Sequence, residues 1–453
     1  MMLNLNDDFN DYHTVVIGAG LSGISAANSL KKESIKVTIL EKSARLGGRA
    51  FSYYDPSSKE HIDNGQHVIV GACKNFMYLL NDLGVQKNLT TTPNFKVPVI
   101  YKNKISFLGS NKMPGILGLF WSIITYKHLS LKDNLRIIYG VFKIFLSSSK
   151  KTAAIYPKFG DWLKQNYQNN LTKKFFWDII IKPSVNDFTD ETSTKYAFLV
   201  IKRSFIQQNK YLYIGYPSIP LNNLWEPLKE KILDSNDKLK TKAVVKKFIL
   251  ENNLIKYVEL SNGDRIFGDF FICTIPQKDL LAILKNSNIN FELPNDNLLN
   301  NTPIICVHFW FDKSIMNHSY LASTGGPTQW IFNVSKNHND NDNHIVLSQS
   351  AAWEWIDKNK EEIKDIFLKD LEKILPNSKK SRLLKYTIIK QRNATFRCES
   401  SSEESRLFKV PQISNLNISG DWTETDWPST MEGAIISGNL GSSEAIKFKN
   451  LKN

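Results

Sequence analysis

Residues His13–Lys42 read HTVVIGAGLSGISAANSLKKESIKVTILEK and predict the start of a dinucleotide-binding fold. A short apolar strand runs directly into Gly18, Gly20 and Gly23, which form a GxGxxG motif, and a helix and a second strand ending at Glu41 follow. The first glycine permits a tight turn, the second lets the backbone approach a pyrophosphate, and the third lets helix and strand pack closely. The helix N-terminus faces the phosphates, and the acid accepts from ribose hydroxyls. Because these parts come in the expected order, the fold class is predicted to be α/β, with a Rossmann-like dinucleotide-binding domain.

The composition is that of an ordinary globular protein with a basic surface. The chain has 453 residues, of which 42% are hydrophobic and 23% are charged, and its formal net charge is +14. This size suits a large core divided between two or three domains. The charge comes mostly from scattered lysines and not from arginine clusters interleaved with aromatic residues, so no nucleic acid partner is expected. The four cysteines form no CxxC pair, which argues against a disulfide framework or a zinc site, predicts no bound metal and indicates a reducing compartment.

The segment Glu41–Ser52, EKSARLGGRAFS, indicates which dinucleotide is bound. Two adjacent glycines, the second of them Gly48, bring the backbone close to something bulky, and Arg45 and Arg49 can reach phosphate. This pattern resembles the amine oxidase and phytoene desaturase superfamily of flavoproteins, in which a GGR signature follows the acid-ended strand. The resemblance implies FAD as the cofactor, bound by a Rossmann-like FAD-binding domain similar to that of glutathione reductase. It also implies that Glu41 holds the adenosine ribose and that the arginines lie along the pyrophosphate and ribityl chain.

A second cofactor segment lies near the end of the chain, at Asn415–Ile446. A short strand ends at Asp421, whose carboxylate can bond the ribityl or pyrophosphate region. The spacing of Ser429 and Glu432 is typical of a capping box, so a helix is predicted to begin there. The N-terminus of this helix would offer partial positive charge to a reduced, anionic flavin. Small residues at three- and four-residue spacing are expected to let a flat ring system lie close to the helix: Gly433, Ala434, Ser437, Gly438 and Gly441.

The stretch Asp63–Phe76, DNGQHVIVGACKNF, places four polar side chains around one glycine before an apolar run. Together with the C-terminal segment, it resembles the hydroxysqualene dehydroxylases, also called squalene-associated FAD-dependent desaturases. In this interpretation Gly65 allows close approach to the isoalloxazine, and Gln66 bonds flavin or backbone. His67 and Asp63 are candidate catalytic acids. The alternative is that these two residues only satisfy buried backbone groups.

The distribution of motifs predicts a discontinuous architecture. FAD contacts are expected from residues 12–75, 220–290 and 408–448, with Val245 meeting adenine through its backbone. The intervening segments 76–219 and 291–407 are expected to build an interleaved α+β substrate domain.

The apolar segment 113–146 admits two interpretations. Ile116–Tyr126 is almost wholly apolar and is flanked by lysines, and Leu135–Leu146 is a second apolar helix with Lys and Arg interspersed. Each is shorter than the ~18 residues that would indicate a membrane span. The helices are either part of the core of the substrate domain or a patch that dips into a membrane to collect a lipid. The N-terminal residues lack a basic start and an apolar core, so no signal peptide is expected. We therefore expect a cytoplasmic protein bound peripherally to the inner face of the cell membrane.

Three functions are compatible with these motifs. The first is reductive removal of the hydroxyl of hydroxysqualene to give squalene, with the C30 lipid, the membrane surface and other enzymes of squalene and hopanoid synthesis as partners. The second is desaturation of a carotenoid, and the third is non-catalytic carriage of a prenyl lipid, as in the Rab GDP-dissociation inhibitors. No polar clamp for a charged amine is visible, which disfavours amine oxidation. The residues predicted to bind the cofactor are Gly18, Gly20, Leu21, Ser22, Gly23, Glu41, Lys42, Arg45, Gly48, Arg49, Gly65, Gln66, Val245, Asp421, Glu432, Gly433 and Ala434.

Overall fold

The computed structural model describes residues 12–56, 58–93, 96–109, 115–205, 213–233, 237–293, 298–335 and 343–452. Within these ranges, no helix combines the length and the apolar character needed to cross a membrane. The first ten strands are β1 (His13–Ile17), β2 (Lys36–Glu41), β3 (Ser52–Asp55), β4 (Glu60–Asp63), β5 (Ile69–Val70), β6 (Leu89–Pro93), β7 (Val97–Tyr101), β8 (Lys104–Leu108), β9 (Tyr213–Pro217) and β10 (Lys238–Thr241). The remaining strands are β11 (Val245–Glu251), β12 (Leu254–Leu260), β13 (Arg265–Phe267), β14 (Phe270–Cys273), β15 (Asn301–Phe311), β16 (Tyr320–Ser323), β17 (Trp330–Asn333), β18 (Asn343–Ser350), β19 (Leu383–Phe396) and β20 (Leu416–Ile418).

The same described residues contain thirteen α-helices. They are α1 (Leu21–Lys32), α2 (Lys74–Asp82), α3 (Gly115–Ile124), α4 (Leu131–Leu146), α5 (Ser149–Ile155), α6 (Phe159–Gln165), α7 (Asn170–Thr172), α8 (Asp178–Val185), α9 (Thr194–Phe205), α10 (Leu221–Leu233), α11 (Gln277–Asn286), α12 (Lys360–Ile374) and α13 (Met431–Lys452). A π-helical turn, Lys173–Trp177, joins α7 to α8, and short 3₁₀ helices lie at Gln86–Asn88, Pro376–Lys380 and Ser400–Ser402.

A parallel five-stranded sheet in the order β10-β2-β1-β14-β20 forms the first layer. Its central strand, β1, is apolar throughout its middle, and Val15 and Val16 are fully buried, as expected for a parallel strand covered on both faces. The carboxyl ends of all five strands lie at the same edge, so the turns that follow β1, β2, β14 and β20 meet there. The predicted Rossmann-like arrangement of parallel strands is confirmed.

A mainly antiparallel seven-stranded sheet, in the order β19-β15-β18-β17-β16-β7-β8, forms the second layer. Helix α12 covers its outer face, where Ile363 and Phe367 belong to the same apolar cluster as Val307 and Phe309. Side chains alternate along a strand. Cys306 therefore points from the opposite face of β15, toward the space between the two layers.

Helices α3 to α9 complete the second layer around an aromatic centre. The ring of Trp162 lies 5.1 Å from that of Phe198, and the ring of Phe159 lies 5.5 Å from that of Trp177. All four are almost completely buried, which stabilises the fold by on the order of 1.5–3 kcal/mol for each side chain. This cluster supports α3 and α4 from beneath. Residues 113 and 114, at the start of the predicted membrane segment, lie outside the described residues.

The layers can be compared with the predicted domains. Segments 12–75, 220–290 and 408–448 supply every strand of the parallel sheet, and segments 76–219 and 291–407 supply every strand of the seven-stranded sheet. The boundary at residue 75 falls inside α2. This helix packs Phe76 and Leu79 into the apolar cluster around α1, so the first layer extends past that boundary.

Candidate active site

A continuous cavity of about 1110 Å³ lies between the two layers. It begins at the carboxyl edge of the parallel sheet, where Gly20, Glu41 and Val245 line it, and it passes Gly65 and His67 before reaching the second layer. Pockets for drug-sized ligands usually measure about 300–1,000 Å³. This cavity is therefore large enough for an extended cofactor together with part of a second molecule.

Two glycine turns form the floor of one end of the cavity. The turn after β1 is tied to the next one by a 2.8 Å hydrogen bond from the Gly47 N–H to the Ala19 carbonyl. Gly48 has a φ of +58°, a conformation that favours glycine. Among the described residues beyond its chain neighbours, a Cβ added to Gly20 would meet only the Cα of Gly48, at 3.9 Å. The open space above these glycines fits a pyrophosphate that approaches the bare backbone.

The first turn of α1 also fits a phosphate group. Leu21 and Ser22 line the cavity, and the buried hydroxyl of Ser22 has no hydrogen-bond partner within the described residues. A phosphate oxygen at a helix N-terminus would satisfy such a hydroxyl. Gly23 has a different role, because a Cβ there would overlap the carbonyl oxygen of Gly18. It therefore permits close packing of α1 on β1.

Glu41 lies at the end of β2 and is almost completely buried in the cavity wall. Its two oxygens accept from the backbone N–H groups of Ala19, at 2.7 Å, and Ser43, at 2.8 Å. A carboxylate offers about four acceptor sites, so these bonds fix its orientation and leave capacity for ribose hydroxyls. Val245 lines the same end of the cavity. Lys42 also lines it, while its ammonium group forms a 2.8 Å ion pair with an aspartate of α11.

Asp421 connects the GGR turn with the C-terminal loop. One of its oxygens accepts from the guanidinium of Arg49 and the other accepts from the hydroxyl of Ser429. Arg45 lies over the Phe51 ring, 3.7 Å from its centroid, and lines the cavity. The Asp421 carboxylate therefore links the GGR turn to the C-terminal loop through hydrogen bonds. The sequence predicted a cofactor contact for Asp421 but not this link between two loops.

Glu432 caps a helix other than its own. It accepts from the Asn75 N–H at 3.0 Å, from the Asn75 side-chain amide at 2.8 Å, and from the Phe76 N–H at 2.8 Å, all at the start of α2. The predicted capping box with Ser429 is therefore wrong, and the hydroxyl of Thr430 instead accepts from the N–H group three residues further on, at 3.1 Å. Burial raises the pKa of Glu432, and the donors of Asn75 and Phe76 oppose that rise.

Two of the small residues of α13, Gly438 and Gly441, serve helix packing. A Cβ at Gly438 would overlap the carbonyl oxygen of Ser22, and one at Gly441 would lie 2.5 Å from the hydroxyl of Ser419. The expectation that these glycines face the ring system is therefore wrong, because they let α13 lie directly on α1 and the parallel sheet. The residues of α13 that line the cavity are Met431, Glu432 and Ala434, whereas Gly433 packs against the preceding loop.

The structure separates the two candidate acids. Asp63 accepts from the Ser52 hydroxyl at 2.5 Å and from the Leu221 N–H at 3.3 Å, and it is not among the residues that line the cavity. It joins the β3–β4 hairpin to α10, so of the two candidate acids only His67 borders the cavity in the described part of the chain. The neighbouring Asn64 also has a structural role, since its amide donates to the Arg49 carbonyl at 2.7 Å and so supports the GGR turn.

His67 lies in the cavity wall, beside Gln66. Its Nδ1 is 2.7 Å from the carbonyl oxygen of Gly65. Because a carbonyl only accepts, Nδ1 carries a proton, and Nε2 is the ring atom that can take up or release another. Burial lowers the pKa of His67, and the charge of nearby Asp63 partly opposes this shift. The resting imidazole is therefore neutral near pH 7.

Three side chains of the seven-stranded sheet line the same cavity as His67, and sequence reasoning missed all of them. Cys306 on β15 pairs in register with Ser348 on β18, which in turn pairs with Trp330 on β17, and all three line the cavity. A Cβ on Gly65 would lie 3.8 Å from the Cys306 sulfur, which places this row beside the His67 loop. Burial raises the pKa of the Cys306 thiol. The indole N–H of Trp330 has no partner in the described part of the chain.

Arg406 is a further residue that sequence reasoning missed. It is buried beneath the loop before α13 and donates to the carbonyl oxygens of Thr423 and Asp421 and to the hydroxyl of Tyr196. No carboxylate lies within ion-pair distance of it in the described ranges. The guanidinium thus puts positive charge under the loop that borders the cavity. No local motif marks this position in the sequence.

The far end of the cavity is predominantly apolar. Its walls come from β7, β8, β9, α8 and α9, so the residues are far apart in the sequence. The apolar residues that line it are Val97, Leu108, Ile179, Ile180, Leu199, Val200 and Ile214. This end suits a hydrocarbon chain.

The parallel sheet, the glycine turns and the interlayer cavity together define a dinucleotide-binding flavoprotein fold. Residues 21–446 match the family of flavin containing amine oxidoreductases, and the chain belongs to that family. The predicted superfamily and the predicted cofactor, FAD, are confirmed. The site fits that cofactor through the Gly20–Gly48 floor and the buried hydroxyl of Ser22.

Individual relatives are distant. The chain is 25% identical to the 15-cis-phytoene desaturase of Capsicum annuum over 450 residues, which is 94% of this chain and 76% of that protein. It is 23% identical to the hydroxysqualene dehydroxylase of Zymomonas mobilis over 447 residues, which is 96% of this chain and 99% of that protein. Among solved structures, cyclohexylamine oxidase from Brevibacterium oxydans matches with a TM-score of 0.70 at 16% identity, covering 98% of this chain and 100% of that one, which shows a shared fold.

Proposed function

We propose that this FAD-dependent oxidoreductase acts on a long isoprenoid hydrocarbon. The observation that carries the proposal is the continuity of the cavity, which runs from the dinucleotide floor at Gly20 past His67 to an apolar end at Leu199. Apolar walls with few polar groups bind a hydrocarbon by excluding it from water. A substrate in this end would place one segment of its chain beside His67.

We further propose that the reaction is the reductive removal of the hydroxyl of hydroxysqualene to give squalene. Two features support this choice. The Asp63–Phe76 and Asn415–Ile446 segments resemble those of hydroxysqualene dehydroxylases, and the Zymomonas mobilis enzyme is matched over 99% of its length.

The bonds and charges of this reaction balance. The allylic carbon–oxygen bond breaks, a proton joins the oxygen, and water leaves. Reduced FAD, when bound, supplies the hydride that completes the new carbon–hydrogen bond, and an external two-electron donor restores the reduced form. The residues of the chain orient the substrate and exclude water that would recapture the allylic cation.

His67 is the residue that can hold the proton for the departing oxygen. The Gly65 carbonyl fixes the ring by accepting from Nδ1, so Nε2 is the atom that takes up a proton from solvent and releases it to the hydroxyl. The pKa of His67 is lowered, so the protonated ring is scarce near pH 7 but is a stronger acid than an ordinary imidazolium. The charge of Asp63 favours the protonated ring from outside the cavity.

Desaturation of a carotenoid-type polyene is the second candidate. The resting neutral state of His67 favours it, because a neutral Nε2 can accept the proton that desaturation releases. The phytoene desaturase of Capsicum annuum is also as similar to this chain as the dehydroxylase is. The two candidates require opposite redox directions on the same scaffold.

Product analysis separates the two candidates. The FAD-loaded protein is kept reduced without oxygen and given hydroxysqualene, and in a parallel assay it is kept oxidised with an artificial electron acceptor and given phytoene. We expect squalene in the first assay and unchanged phytoene in the second. Desaturated product without any squalene would replace the proposed reaction with the second candidate.

A further inference from the structure

Helices α3 and α4 expose apolar side chains for which the proposed chemistry has no use. On α4 they recur every three or four residues and form a stripe along one side of the helix. We call the exposed apolar residues of both helices the docking face; they are Leu117, Trp121, Ile124, Leu131, Leu135, Tyr139, Phe142 and Leu146. Exposed apolar surfaces of this extent usually mark an interaction site.

The docking face is distinct from the buried face of the same helices. Ile137, Val141 and Ile144 of α4 are fully buried in the core, so this helix is apolar on two sides. Trp121 is 44% exposed, whereas its neighbour Phe120 packs partly against the core. Packing in the core explains the apolar residues on one side of α4, but it does not explain the exposed apolar residues on the other side.

The surroundings of the docking face are cationic. Between residues 96 and 160 the sequence has eleven Lys or Arg residues and one acidic residue, Asp133. That aspartate is 6% exposed and is held by an ion pair with Arg136. Lys132 and Lys143 lie on α4 itself and are exposed. An apolar surface with a rim of lysines matches the boundary between the acyl chains and the headgroups of an anionic bilayer.

The docking face lies next to the apolar end of the cavity. Helix α9 lines the cavity with Leu199 and Val200 and packs against both α3 and α4. Leu108 also lines the cavity, and the N–H of the next residue, Gly109, donates to the Ser122 hydroxyl of α3 at 2.5 Å. A single helix therefore separates the docking face from the hydrocarbon end of the cavity.

We infer that the docking face binds the surface of a bilayer that contains anionic lipids. Its apolar side chains enter the headgroup region while the lysines pair with lipid phosphates. A second copy of the chain is a poorer partner, because an isologous contact would bring two cationic rims together. The inference goes beyond the proposed reaction and is tested without any substrate.

The test is co-sedimentation of the FAD-loaded protein with vesicles of phosphatidylcholine alone or mixed with phosphatidylglycerol. We expect binding to the mixed vesicles that salt weakens. Leu135→Asp combined with Phe142→Asp should reduce binding by about tenfold or more, because charged groups replace the two apolar contacts. Lys132→Gln and Lys143→Gln should each reduce binding to the mixed vesicles by about fivefold. Leu384→Asp is the matched control, since Leu384 is 54% exposed on β19, away from these helices.

Retained flavin absorbance and an unchanged melting temperature show that each variant is folded. Equal binding of the double aspartate variant and the unaltered protein overturns the inference, as does the absence of binding to the mixed vesicles. A concentration-dependent dimer that the same variant disperses would assign the docking face to a second copy and would also overturn it.

Discussion

The two ends of the cavity are built in different ways. At the cofactor end, neighbouring residues and bare backbone form the surface, as in the floor made by Gly20 and Gly48. At the substrate end, side chains such as Cys306, Trp330 and Leu199 converge from separate strands and helices. The cofactor end therefore depends on the space left by absent side chains, and the substrate end depends on the side chains present. Substitutions at the cofactor end should abolish FAD binding, whereas substitutions at the substrate end should lower the turnover rate to different extents.

The largest effect is expected from Gly20→Val. The backbone of Gly20 is extended, with φ −72° and ψ 178°, so valine can adopt it. In the part of the chain that the structure describes, its Cβ would meet no atom beyond its chain neighbours closer than 3.9 Å. The added methyl groups would occupy the space of the pyrophosphate. We expect a folded, colourless protein without activity, measured by flavin absorbance and circular dichroism.

Gly23→Val is the matched control three residues away. Its Cβ would overlap the carbonyl oxygen of Gly18, so this variant should lose stability of the fold itself and not only the cofactor. A yellow, fully loaded Gly20→Val protein would show that the phosphates lie elsewhere.

His67→Ala should have the next largest effect. Removing a general acid typically lowers a rate by about 10²–10⁴-fold. Within the described residues, the hydrogen bond of the His67 side chain is to the Gly65 carbonyl two residues away, so the variant should keep its FAD. The rate loss is measured by steady-state turnover with hydroxysqualene, and the retention of FAD is measured by the flavin content of the purified variant. Full turnover would exclude His67 from the chemistry.

The pH dependence of that turnover distinguishes the two roles of His67. Its pKa lies below the ordinary value, so dehydroxylation should accelerate as the pH falls toward that pKa and more of the ring is protonated. A base in a desaturase would give the opposite slope, because the neutral form would be lost. His67→Ala should flatten whichever slope is present.

A histidine of the seven-stranded sheet, which does not line the cavity, should make the stability of the fold sensitive to acid. His308 lies 2.9 Å from His344, and burial lowers its pKa to about 4. Because the folded pKa is below the unfolded value of about 6.5, the neutral ring contributes stability above pH 6.5 that is lost as the pH falls toward 4. The free energy of unfolding should therefore fall by about 3 kcal/mol over this pH range.

Urea unfolding across this pH range measures the loss. His308→Asn should reduce the pH dependence, and His61→Asn, at an exposed site on β4, should not. An unchanged pH dependence in His308→Asn would contradict the assignment of the loss to this residue.

Asp63→Asn should have the smallest effect on turnover. The amide can still accept from Ser52, so the hairpin should hold, while loss of the charge lowers the pKa of His67 further. We expect a modest fall in turnover at neutral pH that lower pH restores. A loss as large as that of His67→Ala would mean that Asp63 itself reaches the substrate.

Features of the cofactor end could largely be predicted from the sequence, whereas features built by residues from distant segments could not. GxGxxG, Glu41 and GGR could be interpreted from sequence because the glycines act through their own backbone and Glu41 acts at a fixed place at the end of β2. The role of Glu432 could not, since its partners at Asn75 and Phe76 lie in another helix more than 350 residues away. Cys306 lies in a strand that is apolar on both faces, so its alternation does not show which side meets the cavity. Gly438 was misassigned because a small residue fits a helix contact as well as a ring.

The most direct test of the central claim is a single turnover of the reduced, FAD-loaded protein. The flavin is reduced chemically without oxygen, the excess reductant is removed, and one equivalent of hydroxysqualene is added. The account predicts that flavin absorbance returns to that of the oxidised form while one squalene appears for each flavin. Flavin that stays reduced with hydroxysqualene, together with oxidised protein whose flavin is bleached by phytoene in the absence of oxygen, would contradict it.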